Sequence, residues 1–499
     1  MRPHPHLLEI SAWPWLERLS RDAGRRVTLA TVPGKEWDRL AAEGFDALFL
    51  MGVWRRSAIG RSIALEDPGL VAAYNRVLPG WRDADVAGSP YSIQAYEPDD
   101  RMGGWEGLDH AHRELQRRGV ALILDFVPNH TGFDHSWISG RPEWYVLGTE
   151  EDVRRAPAEF RQVDVGGRSV VIACGKDPHF PAWTDVAQLN YFNPETRRAM
   201  AATVREIAAH CDGVRCDMAM LMLNEVFERT WRGVLRDTWP MPGDEFWPET
   251  TASLREFIWL AEVYWDLEGR MLDQGFTFAY DKRLLDGLRA PDRARRVRDL
   301  LSAGSPPPQR LARFLENHDE SRSIAALGEH LSAAVSLLVS LPGMRFIFDG
   351  QMDGRHTAVP VQLGRWPHEG RNEVVRILYE RALAFGQIDV LHEGEWKLVA
   401  IAAAGDHTCD NIVAYRWRSA GALAVVAVNL GDASSQAHLA LADDLPPGVA
   451  FDLRDALTDI TYRRTRESLI HPGLYVRLER GQAHLFAVHL SSLESPEAE

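Results

Sequence analysis

The feature that most constrains the fold is a series of eight short apolar segments that alternate with segments of helical pattern. The apolar segments are centred near residues 10, 48, 124, 215, 260, 278, 313 and 346. Apolar strands that alternate with amphipathic helices are typical of parallel sheets buried on both faces. Eight is the number of strands that closes a (β/α)8 barrel. We therefore predict an α/β fold built on a (β/α)8 TIM barrel.

The predicted strands and helices have definite bounds. Strands are predicted at 7–13, 45–51, 121–127, 213–217, 257–261, 276–279, 311–315 and 344–348. Helices are predicted at 35–43, 105–118 and 194–210.

Two intervals between strands are too long for a plain barrel. A barrel of about 250 residues allots about 31 residues to each strand–helix unit, and the intervals from the second to the third strand and from the third to the fourth exceed this. The segment 131–185 is rich in Trp, Gly and Pro. We therefore predict inserted loops, with a small subdomain at 131–185 after the third strand.

The pattern changes after about residue 391. Runs with a period of two residues, separated by turn residues, indicate a small all-β sandwich. They lie at 412–417, 423–429, 436–441, 474–478 and 483–488. The predicted domains are a barrel at 1–390, with the subdomain inside it, a β-sandwich at 391–490 and a flexible tail at 491–499.

Composition excludes several classes of protein. With 45% hydrophobic and 25% charged residues, the chain has the balance of a globular protein. Its net charge of −15 argues against nucleic acid and anionic membranes as partners. We found no apolar run of about 20 residues and no signal-peptide pattern, so we expect a cytoplasmic protein without a membrane partner. The four cysteines form no CxxC pair, and we expect them to be buried apolar side chains.

Polar residues concentrate at the ends of four predicted strands. Because side chains alternate along a strand, Arg215 and Asp217 share one face. Charged groups at the C-terminal ends of barrel strands are placed where catalytic residues usually lie. The four segments are Leu124-Asp125-Phe126-Val127-Pro128-Asn129-His130, Gly213-Val214-Arg215-Cys216-Asp217, Leu260-Ala261-Glu262-Val263-Tyr264-Trp265 and Phe314-Leu315-Glu316-Asn317-His318-Asp319.

Three carboxylates, Asp217, Glu262 and Asp319, are predicted to converge from three of these strands. The chain has no HExxH, GxSxG, Walker or GxGxxG motif. Carboxylates without a required metal are typical of glycoside cleavage, in which one acts as nucleophile and another as acid and base. We expect Arg215 to lower the pKa of Asp217, and the aromatic surroundings of Glu262 to raise its pKa.

The four segments resemble, in order, spacing and strand context, the four sequence regions of the α-amylase family, the retaining α-glucoside-active hydrolases and transglycosylases of the glycoside hydrolase family 13 type. The resemblance implies that Asp217 is the nucleophile and Glu262 the general acid. It implies that Asp319 holds sugar hydroxyls and stabilises the transition state.

The same resemblance assigns substrate-binding residues. It implies that Arg215 orients the nucleophile and that His130 and His318 bond the sugar that is cleaved. Asp125 resembles an aspartate that supports the site, and Tyr91 resembles the tyrosine that stacks under the sugar. The segment Gln188-Leu189-Asn190 resembles a further motif at the end of the inserted subdomain.

Departures from the family pattern leave alternatives open. Many α-amylases have Lys-His where this chain has Met220 and Leu221. No cofactor is expected to be required. Asn129 matches a family calcium ligand, so binding of Ca²⁺ stays open. The substrate is expected to be an oligosaccharide or polysaccharide. The leading hypothesis is a hydrolase of α-glucosidic bonds, and the alternative is a transglycosylase that moves glucosyl or maltosyl units.

Two further hypotheses are weaker. A non-catalytic carbohydrate-binding relative would typically have lost catalytic carboxylates, whereas this chain keeps all three. An unrelated metal-dependent barrel enzyme lacks support from any metal-ligand spacing. The sequence does not define the linkage, endo or exo action, or the oligomeric state.

Overall fold

The eight predicted strands form a closed parallel barrel in a computed structural model that describes residues 1–235, 239–447 and 450–490. Each strand pairs with its neighbours in chain order, and the first pairs with the last. This confirms the predicted (β/α)8 fold. The barrel strands are β1 His6–Ser11, β2 Ala47–Met51, β3 Ala121–Phe126, β4 Gly213–Cys216, β5 Ile258–Ala261, β6 Phe278–Tyr280, β7 Leu311–Phe314 and β8 Met344–Phe348.

Helices surround the barrel because their apolar faces pack on the outward side chains of the strands. The predicted helices are present with no end shifted by more than three residues, and the first strand ends earlier than expected because a helix begins at Ala12. The longer helices are Ala12–Ala23, Gly34–Ala42, Gly104–Gln116, Pro194–Ile207, Asn224–Trp231, Lys282–Arg289, Arg293–Ser302, Leu331–Ser340 and Glu373–Gly386.

The two long intervals carry insertions. After β2, a two-stranded sheet of Trp54–Arg56 and Ile93–Pro98 encloses the helices Ala58–Glu66 and Pro68–Val77. After β3, a four-stranded antiparallel sheet forms the inserted subdomain. Its strands are His130–Gly132, Phe160–Val165, Arg168–Gly175 and Trp183–Gln188.

The C-terminal region is a β-sandwich of a six-stranded and a three-stranded sheet. The larger sheet contains Glu395–Leu398, Ile412–Arg418, Ala422–Asn429, Ala450–Asp455, Thr461–Thr465 and Ala483–His489, and the smaller one Ile401–Ala403, Ser435–Leu439 and Leu474–Leu478. Four of these strands were not predicted. The predicted tail at 491–499 lies outside the described residues.

One helical stretch, Ser323–Ser340, is long and apolar enough by length and composition to cross a membrane, contrary to the sequence expectation. Its mean hydropathy is 1.4, and 67% of it is buried inside the fold. Ser340 bonds the hydroxyl of Tyr415 and the indole of Trp417, both on the large C-terminal sheet. The stretch is thus packed between barrel and sandwich, and core helices of this kind pass the same composition test.

Candidate active site

The polar residues predicted at the strand ends meet at the C-terminal mouth of the barrel. Asp217 directly follows β4, and its backbone N–H donates to the carbonyl of Phe126 in β3 at 2.9 Å. Glu262 directly follows β5, and its N–H donates to the carbonyl of Cys216 at 3.0 Å. The barrel ladder therefore continues one residue beyond the strands and fixes the backbone of both carboxylates.

A single guanidinium joins the two carboxylates. Nη1 of Arg215 donates to Oδ1 of Asp217 at 2.7 Å, and Nη2 lies 2.9 Å from Oε2 of Glu262. The Arg215 side chain is fully buried, and its cation lies over the rings of Tyr91 and Tyr280 at 5.2 and 5.6 Å from their centroids. Arg215 thus has one position, set by two acids and two aromatic rings.

Burial raises the pKa values of both acids above those of free carboxyl groups. Burial raises the pKa of Glu262 to about 7, although Arg215 opposes the shift. Burial also raises the pKa of Asp217, and the charge of Arg215 only partly offsets it. The expected direction is therefore found for Glu262, whereas the expectation of a lowered pKa for Asp217 is wrong because loss of hydration outweighs the ion pair.

Two donors hold the carboxyl group of Glu262. The backbone N–H of Met218 donates to Oε2 at 2.7 Å, and the hydroxyl of Tyr264 donates to Oε1 at 2.9 Å. Met218 has a φ of 43°, in the left-handed region that side chains rarely occupy. The residue that follows Asp217 along the chain is thus strained, and such strain is concentrated at functional sites.

The third carboxylate belongs to a charged network with His318. Nε2 of His318 lies 2.9 Å from Oδ2 of Asp319, and its Nδ1 contacts Oε1 of Glu9 on β1. Burial alone would lower the pKa of His318, but Asp319 and Glu9 outweigh it and hold this pKa well above its usual value. The cation in turn holds the pKa of Asp319 low, against the partial loss of hydration. The side chain of Asp319 is 52% exposed, so it faces the open cleft.

Tyr91 lies in the same cluster. Its ring stacks on His318 with centroids 5.4 Å apart, and its hydroxyl is 2.7 Å from Nε2 of that histidine. The structure therefore brings Tyr91, Arg215 and His318 together with the three carboxylates, as the sequence predicted.

His130 and Asp125 lie deeper. Burial lowers the pKa of His130 to about 3, so this ring is neutral, and it packs against Trp183 at 5.4 Å. Asp125 has no solvent exposure, and its Oδ2 accepts from the N–H of Gly52 at 2.6 Å. Asp125 is therefore placed to support the β2 and β3 ends, in line with a supporting role, and not to contact a sugar as a substrate-binding residue.

Three residues of the site were missed at the sequence level: Glu9, Tyr264 and Tyr280. Glu9 is a buried charge inside an apolar strand, two residues before its end, so it lacks the strand-end position that identified the four other segments. Tyr280 ends β6, and its hydroxyl accepts from Nε of Arg215 at 3.4 Å. Tyr264 lies two residues after Glu262, which puts it on the same face of an extended chain.

The residues around Asn129 do not fit a calcium ion. The side-chain amide of Gln188 donates to Oδ1 of Asn129 at 2.9 Å, and Asn129 donates back to Oε1 of Gln188 at 3.1 Å. The amide oxygen that a calcium ion would require is thus already bonded. Within residues 1–235, 239–447 and 450–490, no group of three or more His, Cys, Asp or Glu side chains could hold a metal ion.

Comparison with known sequences gives distant relatives. No protein-family model matches the chain. The α-amylase MalA of Haloarcula japonica is 25% identical over 360 residues, which cover 68% of this chain and 47% of that protein. Alpha-amylase 3 of Dictyoglomus thermophilum is 20% identical over 305 residues, which cover 56% of each protein. The chain thus spans about half the length of the curated relatives it matches.

Comparison with solved structures supports the fold over the whole chain. A noncanonic maltogenic α-amylase, AmyB of Thermotoga neapolitana, superposes with a TM-score of 0.68 at 17% identity, covering 97% of this chain and 98% of that one. An α-amylase of Lactobacillus plantarum gives a TM-score of 0.67 at 19% identity with the same coverage. An α-glucosyl transfer enzyme, XgtA, gives 0.66 at 15% identity, covering 98% and 100%.

Proposed function

We propose that this chain, a member of the α-amylase family by sequence likeness and fold, is a retaining enzyme that cleaves α-glucosidic bonds of oligosaccharides or α-glucans. The observation that carries the proposal is the contact of Arg215 with both Asp217 and Glu262. Two carboxylates on one guanidinium favour the separation of about 5–5.5 Å typical of retaining enzymes over the 6.5–9.5 Å of inverting ones. The relatives named as α-amylases support α-glucans as the substrate class.

In the first half of the proposed reaction, a carboxylate oxygen of Asp217 attacks the anomeric carbon of the sugar. The bond from that carbon to the glycosidic oxygen breaks, and Glu262 gives its proton to the departing oxygen. The raised pKa of Glu262, about 7, keeps a proton available near neutral pH. Arg215 donates to the attacking carboxylate and keeps it oriented.

In the second half, Glu262 is a carboxylate and accepts a proton from water, whose oxygen attacks the same carbon and releases Asp217. Asp319 and the protonated His318 face the sugar with hydrogen-bonding groups of opposite charge. The preorganised negative charge of Asp319, which the His318 cation keeps ionised, stabilises the positively charged oxocarbenium-like transition state without reorganisation. A sugar hydroxyl in place of water would complete a transfer.

Transfer is a second candidate function, favoured by the space beside the acid. A cavity of about 450 Å³ is lined by Met218 and Tyr264, which both bond Glu262, and by the exposed ring of Phe180. This is the side on which the leaving group departs, so the same space can hold an acceptor sugar. The likeness to the α-glucosyl transfer enzyme XgtA is consistent with this alternative.

The test is a product assay on maltose, trehalose, sucrose, maltooligosaccharides and soluble starch, with and without phosphate. We expect glucosyl-containing products whose first-formed anomer, followed by NMR, is α. A fluorinated glucosyl donor is expected to label Asp217, detected by peptide mass spectrometry. Formation of the β-anomer first, or a label on another residue, would contradict the proposed mechanism.

We also propose that activity does not depend on calcium. The Asn129–Gln188 amide pair occupies the position at which the family resemblance places a calcium ligand. We expect turnover and the melting temperature to be unchanged by excess EDTA, since chelation removes nothing from this pair. A fall in melting temperature on chelation that added Ca²⁺ reverses would contradict this expectation.

A further inference from the structure

The cleft is open on one side of the catalytic residues and closed on the other. The general acid contacts the glycosidic oxygen, so the part of the substrate that leaves lies beside Glu262, where the cavity has about 450 Å³. On the opposite side, behind His318, lies a cavity of about 10 Å³, which is room for about one water molecule. Its lining includes Asn317, His318, Leu363 and Trp366.

The closed side is covered by residues 350–372, which follow β8 and which we call the strap. The strap forms an antiparallel bridge between Leu363 and Val86, in the insertion after β2. The N–H of Ala87 donates to the carbonyl of Gln362, and the N–H of Gly364 to that of Asp85, both at 2.7 Å. These bonds lie directly before the segment that carries Tyr91. The strap is therefore tied across the mouth beside the sugar-stacking residue.

A two-pronged ion pair reinforces the bridge. Nε and Nη2 of Arg365 donate to Oδ1 and Oδ2 of Asp85 at 2.8 and 2.9 Å. Paired hydrogen bonds of this geometry are among the stronger side-chain contacts. Leu363 and Val86, each 1% exposed, pack with Tyr74 in a small apolar cluster of their own. The strap is thus held by backbone bonds, by charge and by apolar packing.

The base of the strap is fixed as well. Nη1 of Arg322, a fully buried side chain, donates to Oε1 of Glu316 and to the carbonyl of Asp349, each at 2.8 Å. Its Nε donates to the carbonyl of Thr357 in the strap at 3.2 Å. The same guanidinium lies 5.3 Å from the ring centroid of Trp366. Opening the strap would leave buried polar groups without partners, which is costly.

We infer that the site accepts one α-glucosyl unit from the non-reducing end of its substrate, and that the strap is the element that excludes longer donors. This inference rests on the proposed function and adds exo action to it. A second sugar on the non-reducing side would have to occupy the space filled by Leu363 and Trp366. Sugars on the leaving side meet no such barrier.

The test compares α-glucosyl fluoride with α-maltotriosyl fluoride. Attack by Asp217 on a glycosyl fluoride forms the ester bond, breaks the carbon–fluorine bond and releases fluoride, so no leaving sugar is needed. Exo action predicts rapid fluoride release from glucosyl fluoride. From maltotriosyl fluoride it predicts free glucose and maltosyl fluoride as the first products, because the terminal glycosidic bond is cleaved instead. Early fluoride and maltotriose from the second donor would overturn the inference. Turnover of neither donor would overturn the proposed function itself.

Substitutions in the strap test whether its ion pair is what excludes longer donors. We expect Arg365→Ala to increase early fluoride release from maltotriosyl fluoride about 10-fold or more, which corresponds to about 1.4 kcal/mol of relieved exclusion. Asp85→Ala breaks the same pair from the other side and gives the same expectation if Arg365→Ala does not fold. Arg371→Ala is the control, since Arg371, in the same strap, pairs with the exposed Glu373 at the start of the next helix and not with the insertion after β2. Equal donor preference in Arg365→Ala, Asp85→Ala and Arg371→Ala would overturn the role of the strap.

Discussion

The end of the cleft beside His318 and the end beside Glu262 differ in packing and in backbone conformation. At the His318 end, the strap residues Leu363 and Trp366 line a cavity of about 10 Å³, and hydrogen bonds at Gln362, Gly364 and Arg365 tie the strap to the insertion after β2. At the Glu262 end, Phe180 is 66% exposed and the cavity is about 450 Å³. In the proposed reaction, the donor sugar thus meets a packed wall and the departing group meets open space.

Backbone strain is found at the open end. Trp265 and Asp266, in the loop after Glu262, have φ values of 64° and 58°. Non-glycine residues in this region cost on the order of 1–3 kcal/mol each, and the surrounding structure must hold them there. The ring of His179, in the inserted subdomain region, packs on Trp265 at 4.7 Å. The open wall of the cleft is therefore shaped by a strained loop that the insertion after β3 supports.

The difference between the two ends suggests how the same carboxylates can act on one defined donor sugar and on different leaving groups or acceptors. In the proposed reaction, a rigid donor side fixes the anomeric carbon against Asp217, which is what proximity and orientation require. An open acid side leaves the identity of the leaving group or acceptor less constrained. The predictions below probe the centre, then the closed end and then the open end.

The largest effect is expected at the centre. Asp217→Asn removes the attacking oxygen and should lower kcat by about 10⁴-fold or more with every donor, as loss of a nucleophile does. Asp212→Asn is the matched control, because Asp212 lies before the other end of β4, where it bonds His112 at 3.0 Å. Residues at that face of a barrel serve stability. We expect Asp212→Asn to lower the melting temperature and to retain turnover, and equal losses in both variants would contradict the assignment of Asp217.

At the closed end, Glu9→Gln is expected to lower kcat by about 10²-fold, the scale of a misplaced catalytic group. Removing this carboxylate takes away one of the two charges that hold the pKa of His318 high. The pKa of His318 then falls, so its proton is lost at lower pH, and the alkaline decline of kcat should begin earlier than in the wild type. The pH dependence of kcat measures this shift.

The control for Glu9 is Glu36→Gln. Glu36 is also a buried glutamate with strong partners, since its Oε1 accepts from the indole of Trp15 at 3.0 Å, but it lies on the helix Gly34–Ala42 and its other hydrogen bonds go to Arg18 and Arg39 of the outer helices. We expect this variant to lose stability without moving the pH profile. A Glu9→Gln enzyme that loses activity uniformly at every pH would indicate a structural role only.

The burial of apolar runs and of the charges that end them explains what could be predicted from the sequence. The barrel strands were predictable because each is a buried apolar run. The carboxylates were predictable because a charge at the end of such a run is costly to bury, and a fold keeps it where the site uses it. Glu9 is also a buried charge, but it lies inside the first strand, two residues before its end, and far from the other motifs along the chain. Only the closed barrel brings β1 next to β8 and places Glu9 at His318.

The strap and the edge strands of the sandwich were not predictable in this way. The bridge between Val86 and Leu363 joins residues that are far apart along the chain, and no local periodicity encodes it. Thr461–Thr465 is largely polar and solvent-facing, so it lacks the alternation that identified its neighbours. The predicted direction of the pKa shift of Asp217 was wrong for a related reason. The sequence shows the partner Arg215 but not the depth at which both side chains are buried.

The smallest effect is expected at the open end, from Tyr264→Phe. Activity of the wild type should fall as pH rises through about 7, because Glu262 must carry a proton to act as the acid. The Tyr264 hydroxyl donates to Glu262 and so favours its ionised form. Without that hydroxyl the pKa of Glu262 rises further, and the alkaline limb of kcat/KM should move to higher pH while the maximal rate changes only about 3-fold.

Tyr145→Phe is the matched control for this variant. The Tyr145 hydroxyl is also buried and hydrogen-bonded, at 2.9 Å from Oγ1 of Thr131, but it lies in the inserted subdomain region and does not contact the acid. Its loss should leave the alkaline limb in place. A limb that moves to lower pH in Tyr264→Phe, or equally in both variants, would show that the Tyr264 hydroxyl does not set the proton affinity of Glu262.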